Sequence, residues 1–282
     1  MQSAIPSHRI KWYRFAMTSL DLFRLDGRHA IIAGGGGLLG PTFAGSLLEA
    51  GAQVTVLDVK FDESDAYAQQ VKKKFDSAYS TRICDLTNAE QVEASVEWAE
   101  SRGPVGILVN AVAIDPKVDN RRSYDAGFTA YPSELWRKSL EVNLTGIFLI
   151  TQAVCRRFEK RHSGIIVNLS STYGLVGPDQ RIYPHGFVKP GDYSTTKAGV
   201  IGFTRYLAAY YARSGIRVNC LSPGGAFNKH DEAYAKAYSE RTLLGRMANR
   251  DEYKGAILFL CSDASSYMTG ANLIVDGGWT AI

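Results

Sequence analysis

The chain has 282 residues, 45% of them hydrophobic and 21% charged, with a formal net charge of +4 and four cysteines. These values suit a globular chain with ample material for a core, and the mild, dispersed charge argues against nucleic-acid or membrane-surface binding. No apolar run approaches the roughly 18 residues of a membrane span. Cys84, Cys155, Cys220 and Cys261 lie too far apart for a metal or disulfide motif, which predicts reduced thiols in a cytoplasmic protein and no metal site.

Residues 1–20 are basic and carry Trp12, Tyr13 and Phe15 without the continuous apolar core of a secretory signal. They read as an arm of unassigned role, and residues 21–282 as one domain. His29 to Ala33 predicts a short buried strand running into AGGGGLLG, and Leu38 to Ala50 has helical character. Strand, glycine loop and helix together form the arrangement in which backbone N–H groups hold a diphosphate. Two glycine registers fit, Gly35-Gly37-Gly40 and Gly34-Gly37-Gly40.

A second strand, Gln53 to Asp58, ends in an acid 18 positions after Gly40. An Asp there accepts hydrogen bonds from the adenosine ribose and repels a 2′-phosphate, so NAD is favoured over NADP. Lys60 nearby leaves room for NADP. A polar helix over 62–76 follows, then a strand near Thr81 to Cys84 leading to Asp85-Leu86, where side chain and backbone could meet an adenine ring. A helix over 88–101 precedes a strand from Val105 to Asn110. Alternating strands and helices with short connections predict a doubly wound parallel sheet with helices on both faces, of Rossmann type. Ligands bind beyond the carboxyl ends of such strands, which places the loop after Asn110 at the cofactor site.

The polar connection from Asp115 to Pro132 carries Arg121 and Arg122. A helix from Ser133 to about Glu159 holds Asn143, a lone amide among apolar residues. Ile165 to Leu169 reads as a buried strand ending at Ser170-Ser171. Tyr193 and Lys197 then fall four positions apart within a helical segment, on one face. That spacing also occurs on ordinary helices. With a serine hydroxyl opposite, it suits proton transfer at an alcohol oxygen, the ammonium favouring the phenolate and lowering the Tyr193 pKa. Ile216 to Cys220 predicts another strand. Residues 229–249 form a charged helical excursion, Asp251 to Cys261 a helix, and Leu273 to Val275 a last strand.

Taken together, AGGGGLLG, Asp58, CDL at 84–86, LVNAVA at 108–113 and EVNLTG at 141–146 resemble the short-chain dehydrogenase/reductase family. So do IVNLSSTYG at 166–174, YSTTK at 193–197, RVNCLSPGG at 217–225 and TGANLIVDGG at 269–278. The resemblance covers residues 24–282. It implies a catalytic set of Asn143, Ser171, Tyr193 and Lys197. Tyr193 is then the general acid/base, and Ser171, opening the pattern Ser171-Thr-Tyr-Gly174, polarises the C–O group. Lys197 holds the nicotinamide ribose and tunes Tyr193, while Asn143 holds a relay water. The cofactor-binding set it implies is Gly34, Gly35, Gly37, Leu39, Gly40, Asp58, Asp85, Leu86, Asn110, Ala111, Tyr193, Lys197, Pro223 and Gly224.

Three departures from the family pattern stand out. Leu38 replaces a glycine and Ala33 a threonine in the first loop, and Asn110-Ala-Val-Ala113 lacks a second Asn. Ser171 and Tyr193 are 22 positions apart, a wider separation than is typical, through an insertion carrying Arg181, Tyr183, His185 and Lys189. Arg121, Arg122, Tyr183 and His185 are the candidate substrate-lining residues, and such cations and hydroxyls suit a polar, polyhydroxylated or anionic small molecule. Several segments are similar to bacterial oxidoreductases of sugar and surface-polysaccharide biosynthesis. The expected activity is NAD-dependent hydride transfer at a carbohydrate-like secondary alcohol. NADPH-dependent 3-oxoacyl thioester reduction and a non-catalytic nucleotide sensor are the alternatives. The resemblance also implies a homo-oligomer, tetramer or dimer, through the helices carrying Asn143 and Tyr193, with Trp279 to Ile282 a candidate for packing across a subunit boundary.

Overall fold

The seven strands lie in one all-parallel sheet in the order β3-β2-β1-β4-β5-β6-β7, seen in a computed structural model that describes residues 17–115, 128–184 and 187–282. The strands are β1 His29–Ala33, β2 Gln53–Asp58, β3 Tyr79–Ile83, β4 Val105–Asn110, β5 Gly164–Leu169, β6 Ile216–Pro223 and β7 Asn272–Val275. The helices are α1 Gly40–Glu49, α2 Ala66–Lys74, α3 Ala89–Ser101, α4 Ser133–Leu140, α5 Gly146–Arg161, α6 Gly191–Tyr210, α7 Glu232–Glu240 and α8 Lys254–Cys261. The fold is the expected doubly wound, Rossmann-type sheet. Strand order reverses between β1 and β4, which opens a crevice at the strands' carboxyl ends.

Side chains of a strand alternate between faces, so a strand covered on both sides must be apolar throughout. Ala30, Ile32, Val54, Val56, Ile107 and Val109 face α1 and α8, packing on Phe43, Leu47, Ile257 and Leu260. Ile31, Ala33, Leu57, Leu108 and Ile166 face α3, α5 and α6, packing on Val96, Val154 and Phe158. This two-sided burial explains the apolar runs within β1 and β4, and why β2 is apolar between its ends apart from the buried Thr55. The cysteines are all buried and unpaired.

Some elements differ from expectation. The helix expected from Ser133 is interrupted by a π-helical turn, Glu141–Thr145, which carries Asn143. The excursion over 229–249 is helical only as α7, where Asp231 caps the N-terminus by accepting from the amides of Ala233 and Tyr234. Trp279 is buried within its own subunit, stacked on Tyr238 with ring centroids 4.4 Å apart, so this part of the C-terminus is already covered. Among the described residues, no helix is long and apolar enough to cross a membrane, and no cluster of side chains has the make-up of a metal site. Residues 1–16, Arg121, Arg122 and His185 lie outside the described residues.

Candidate active site

The glycine loop is shaped by close backbone approach. Gly34 has φ of +78°, and a Cβ there would lie 2.3 Å from the Val112 Cα. A Cβ on Gly40 would lie 2.1 Å from the Gly35 carbonyl oxygen, so only glycine allows α1 to start this near the loop. Gly37 faces open space apart from the Gly34 carbonyl, 4.0 Å away. The α1 N-terminus has Leu39 at the cap position, and no side chain caps it. The Gly40 N–H donates to the Gly37 carbonyl at 3.3 Å and Pro41 has none, so the positive end of the helix dipole is the feature here that favours a diphosphate.

Asp58 ends β2 beside this loop. Its carboxylate accepts from the Gly36 N–H at 2.8 Å and from the Lys60 N–H at 3.4 Å. Gly36, which the sequence reading passed over, is thus the residue that fixes the acid. A Cβ on it would sit 2.3 Å from the Lys60 carbonyl oxygen. The arrangement fits an adenosine ribose hydrogen-bonded by Asp58 and a diphosphate on the α1 N-terminus.

The other residues expected at the cofactor site have the following partners within the chain. Asn110 is fully buried, and its amide donates to the Thr151 hydroxyl at 2.9 Å and to the Asn168 carbonyl at 2.8 Å. Asn168 in turn donates to Thr204 at 2.9 Å. These bonds stitch β4 to β5, α5 and α6, because Asn110 and Asn168 are register partners in the sheet. The Asp85 carboxylate closes the turn before α3, accepting from the Thr87 amide at 2.9 Å and hydroxyl at 2.7 Å. Leu86 is buried against Gly146. Ala111 extends the β1–β4 ladder through its amide, which donates to the Ala33 carbonyl at 2.8 Å. Pro223 and Gly224 end β6. The Gly224 carbonyl accepts from the Tyr253 hydroxyl at 2.9 Å, and a Cβ on Gly224 would meet the Asp276 Cα at 2.8 Å.

The catalytic candidates converge at the ends of β4, β5 and α6. Lys197 is buried and donates to the Leu169 carbonyl at 2.8 Å, with its ammonium 5.7 Å from the centroid of the half-buried Tyr193 ring. Ser171 begins the turn after β5, accepts from the Tyr173 amide at 3.2 Å, and interacts with the Tyr193 phenol. Ser170 is instead tied to the Lys197 carbonyl at 2.7 Å. Gly174 makes this packing possible, since a Cβ there would lie 2.4 Å from the Ser170 hydroxyl and 2.8 Å from the Lys197 backbone. Asn143 accepts from the Ile114 N–H at 2.7 Å, donates to the Ile114 carbonyl at 3.1 Å, and donates to Thr196 at 3.2 Å. It therefore clamps the loop after β4 to α6. The π-turn that carries it adds a residue to the helix and re-aims the amide.

Electrostatics differ from the simple expectation. Burial pushes the Tyr193 phenol up, the Asp115 charge adds to this, and Ser171 acts against it. Burial also lowers the Lys197 ammonium to about 8. The ammonium is thus the group brought toward working pH, and the phenol holds its proton.

Around Tyr193 stands an aromatic wall of Tyr173, Tyr183, Phe187, Tyr234, Tyr238 and Trp279. Tyr183, the one described candidate for substrate lining, is buried in it with its hydroxyl 2.9 Å from that of Tyr173. Sequence reasoning missed the wall's counterpart, Lys189 paired with Asp115. The lysine stood in the insertion, but nothing local marked its partner.

A family model described as enoyl-(acyl carrier protein) reductase matches residues 39–280. The galactitol 2-dehydrogenase (L-tagatose-forming) of Cereibacter sphaeroides is 33% identical over 267 residues, covering 92% of this chain and 97% of that protein. A 3-oxoacyl-acyl-carrier-protein reductase of Aquifex aeolicus is 31% identical over 262 residues, covering 90% and 98%. Among solved structures, a gluconate 5-dehydrogenase from Burkholderia cenocepacia, in complex with NADP and tartrate, aligns at a TM-score of 0.79. It is 32% identical and covers 94% of this chain and 100% of that one.

Proposed function

Because the chain belongs to the short-chain dehydrogenase/reductase family of nicotinamide-dependent oxidoreductases, we propose that it transfers hydride between NAD and a carbohydrate-like secondary alcohol or ketone. The observation that carries this reading is the meeting of Ser171, Tyr193 and Lys197, in a sheet whose first two strands end in the glycine loop and Asp58. When bound, the nicotinamide supplies the hydride acceptor or donor. Gly34, Gly35, Gly37, Leu39 and Gly40 would hold the diphosphate, and Asp58 the ribose hydroxyls. The same carboxylate would meet a 2′-phosphate with like charge, which favours NAD over NADP.

Tyr193 takes the hydroxyl proton in alcohol oxidation and gives it back in ketone reduction. A phenol held protonated by burial suits donation to a ketone. In the oxidative direction the Lys197 ammonium stabilises the phenolate through space. Ser171 donates to the carbonyl or alkoxide oxygen as charge develops there. Asn143 fixes the loop after β4 and is the candidate holder of a relay water.

The galactitol and gluconate enzymes among its relatives favour a polyol, sugar or sugar acid. The Aquifex relative favours acyl thioester reduction as the second reading. Asp58 and the aromatic, charge-paired wall speak against it. A panel of polyols, sugars, sugar acids and acetoacetyl thioester, followed by nicotinamide absorbance with NAD(H) and NADP(H), separates the two. In the Tyr193→Phe variant, turnover should vanish while dinucleotide affinity stays. Near wild-type activity in that variant would refute the mechanism.

We further propose a homo-oligomer, assembled through α5 and α6, where Phe148, Tyr206 and Tyr210 are exposed, in a cytoplasmic setting.

A further inference from the structure

We propose that Lys189 and Asp115 form the specificity-determining element of the substrate pocket, together binding adjacent hydroxyls of an uncharged polyol or sugar. This rests on the carbohydrate reading above and narrows it, because it selects neutral substrates over sugar acids and sugar phosphates.

Lys189 is 6% exposed, a rare state for lysine unless its charge is paired. Its ammonium forms an ion pair with the Asp115 carboxylate and lies 4.6 Å from the centroid of the Tyr193 ring. Each charge is held by a two-point backbone clamp. Lys189 donates its amide to the Gln180 side chain at 2.9 Å, and its carbonyl accepts from the same side chain at 3.0 Å. Asp115 follows Ile114, whose N–H and C=O are both bonded to Asn143. The pair therefore bridges the loop after β4 and the start of α6 directly beside the reacting phenol. Surface loops do not need such anchoring.

The Asp115 side chain is 46% exposed, so a ligand can reach it. Its charge is felt by Tyr173, Tyr183, Tyr193, Tyr234 and Lys197, pushing the phenols up and supporting the ammonium. It thus sits at the focus of the aromatic wall.

An ammonium has three donors and a carboxylate about four acceptor sites, of which the ion pair itself uses one each. Vicinal hydroxyls, each both donor and acceptor, match that remaining capacity. A phosphate or carboxylate at the same point would face the Asp115 charge. The aromatic faces of Tyr183, Phe187 and Tyr234 offer apolar surface to the C–H edges of such a ligand.

The test measures affinity without turnover, using the Tyr193→Phe protein loaded with NADH and calorimetric titration. Galactitol and glucitol are the probes, with cyclohexanol as a lone-hydroxyl control and gluconate and a hexose phosphate as anionic controls. Lys189→Gln and Asp115→Asn should each weaken binding of the better polyol at least tenfold. Cyclohexanol and NADH affinities should stay unchanged, the latter showing that the fold is intact. Equal polyol affinity in parent and variants would overturn the proposal. So would failure of the parent to bind either polyol, an equal loss for cyclohexanol, or tighter anion binding that disappears in Lys189→Gln. The general acid/base assignment fails separately, through retained turnover by Tyr193→Phe.

Discussion

Replacing Lys197 with Met separates what the buried ammonium does for chemistry from what it costs the fold. In the folded chain, burial lowers this group to about 8, against an ordinary value of 10.5, with Cys220 and Asp115 acting the other way. Below about pH 8 both folded and unfolded chains carry the proton, so the full desolvation cost is present. Between the two pKa values the unfolded chain binds more protons than the folded one, and stability rises with pH. Integration gives a gain of about 2 kcal/mol from this group between about pH 7 and pH 9.5. Met has similar length and no charge, so the variant lacks this gain.

At neutral pH the variant also loses the charged hydrogen bond to the Leu169 carbonyl, worth about 1.5–3 kcal/mol. That roughly offsets the relief of desolvation, so the two proteins should be about equally stable near pH 7. Urea unfolding without cofactor, run on both proteins at the two pH values, measures the difference directly. Other titrating groups are common to both and cancel. The wild-type advantage should grow by about 2 kcal/mol on going to the higher pH. A difference independent of pH would mean that the ammonium is well solvated, and would refute the reasoning. Turnover should be lost in the variant throughout.

Gly36→Ala places a Cβ 2.3 Å from the Lys60 carbonyl oxygen and should displace Asp58. Dinucleotide affinity by calorimetry should fall at least tenfold, with a stability loss of about 1–3 kcal/mol. Asn110→Ala removes two buried hydrogen bonds and should cost about 2 kcal/mol in denaturant unfolding, yet leave NAD affinity within about twofold. A large loss of affinity would place that side chain at the cofactor site. Size-exclusion chromatography with light scattering at micromolar concentration should give a mass above the 30.9 kDa of one chain; a monomer would refute the assembly proposal.

Much of the sheet was legible because its strands are covered on both faces. Burial on both sides favours apolar runs, so β1 and β4 fall where His29 and Val105 begin such runs. Turn chemistry marked their ends, and the spacing of Tyr193 and Lys197 put both on one face of α6. The glycine loop and Asp58 were legible for the same local reason, since strand, turn and helix succeed one another in sequence.

What the chain order concealed is which distant groups meet. Asn110, expected at the cofactor site, also cross-links the sheet interior through its register with Asn168. Trp279 looked available to a neighbouring subunit until Tyr238 was found against it. Lys189 and Asp115 are separated by 74 positions and become a pair only when the start of α6 lies beside the end of β4. Periodicity and turn residues act over a few neighbours, and so they are written in the sequence. Contacts between segments far apart depend on sheet register, on the π-turn at Asn143 and on the course of an insertion, and tertiary packing alone decides them.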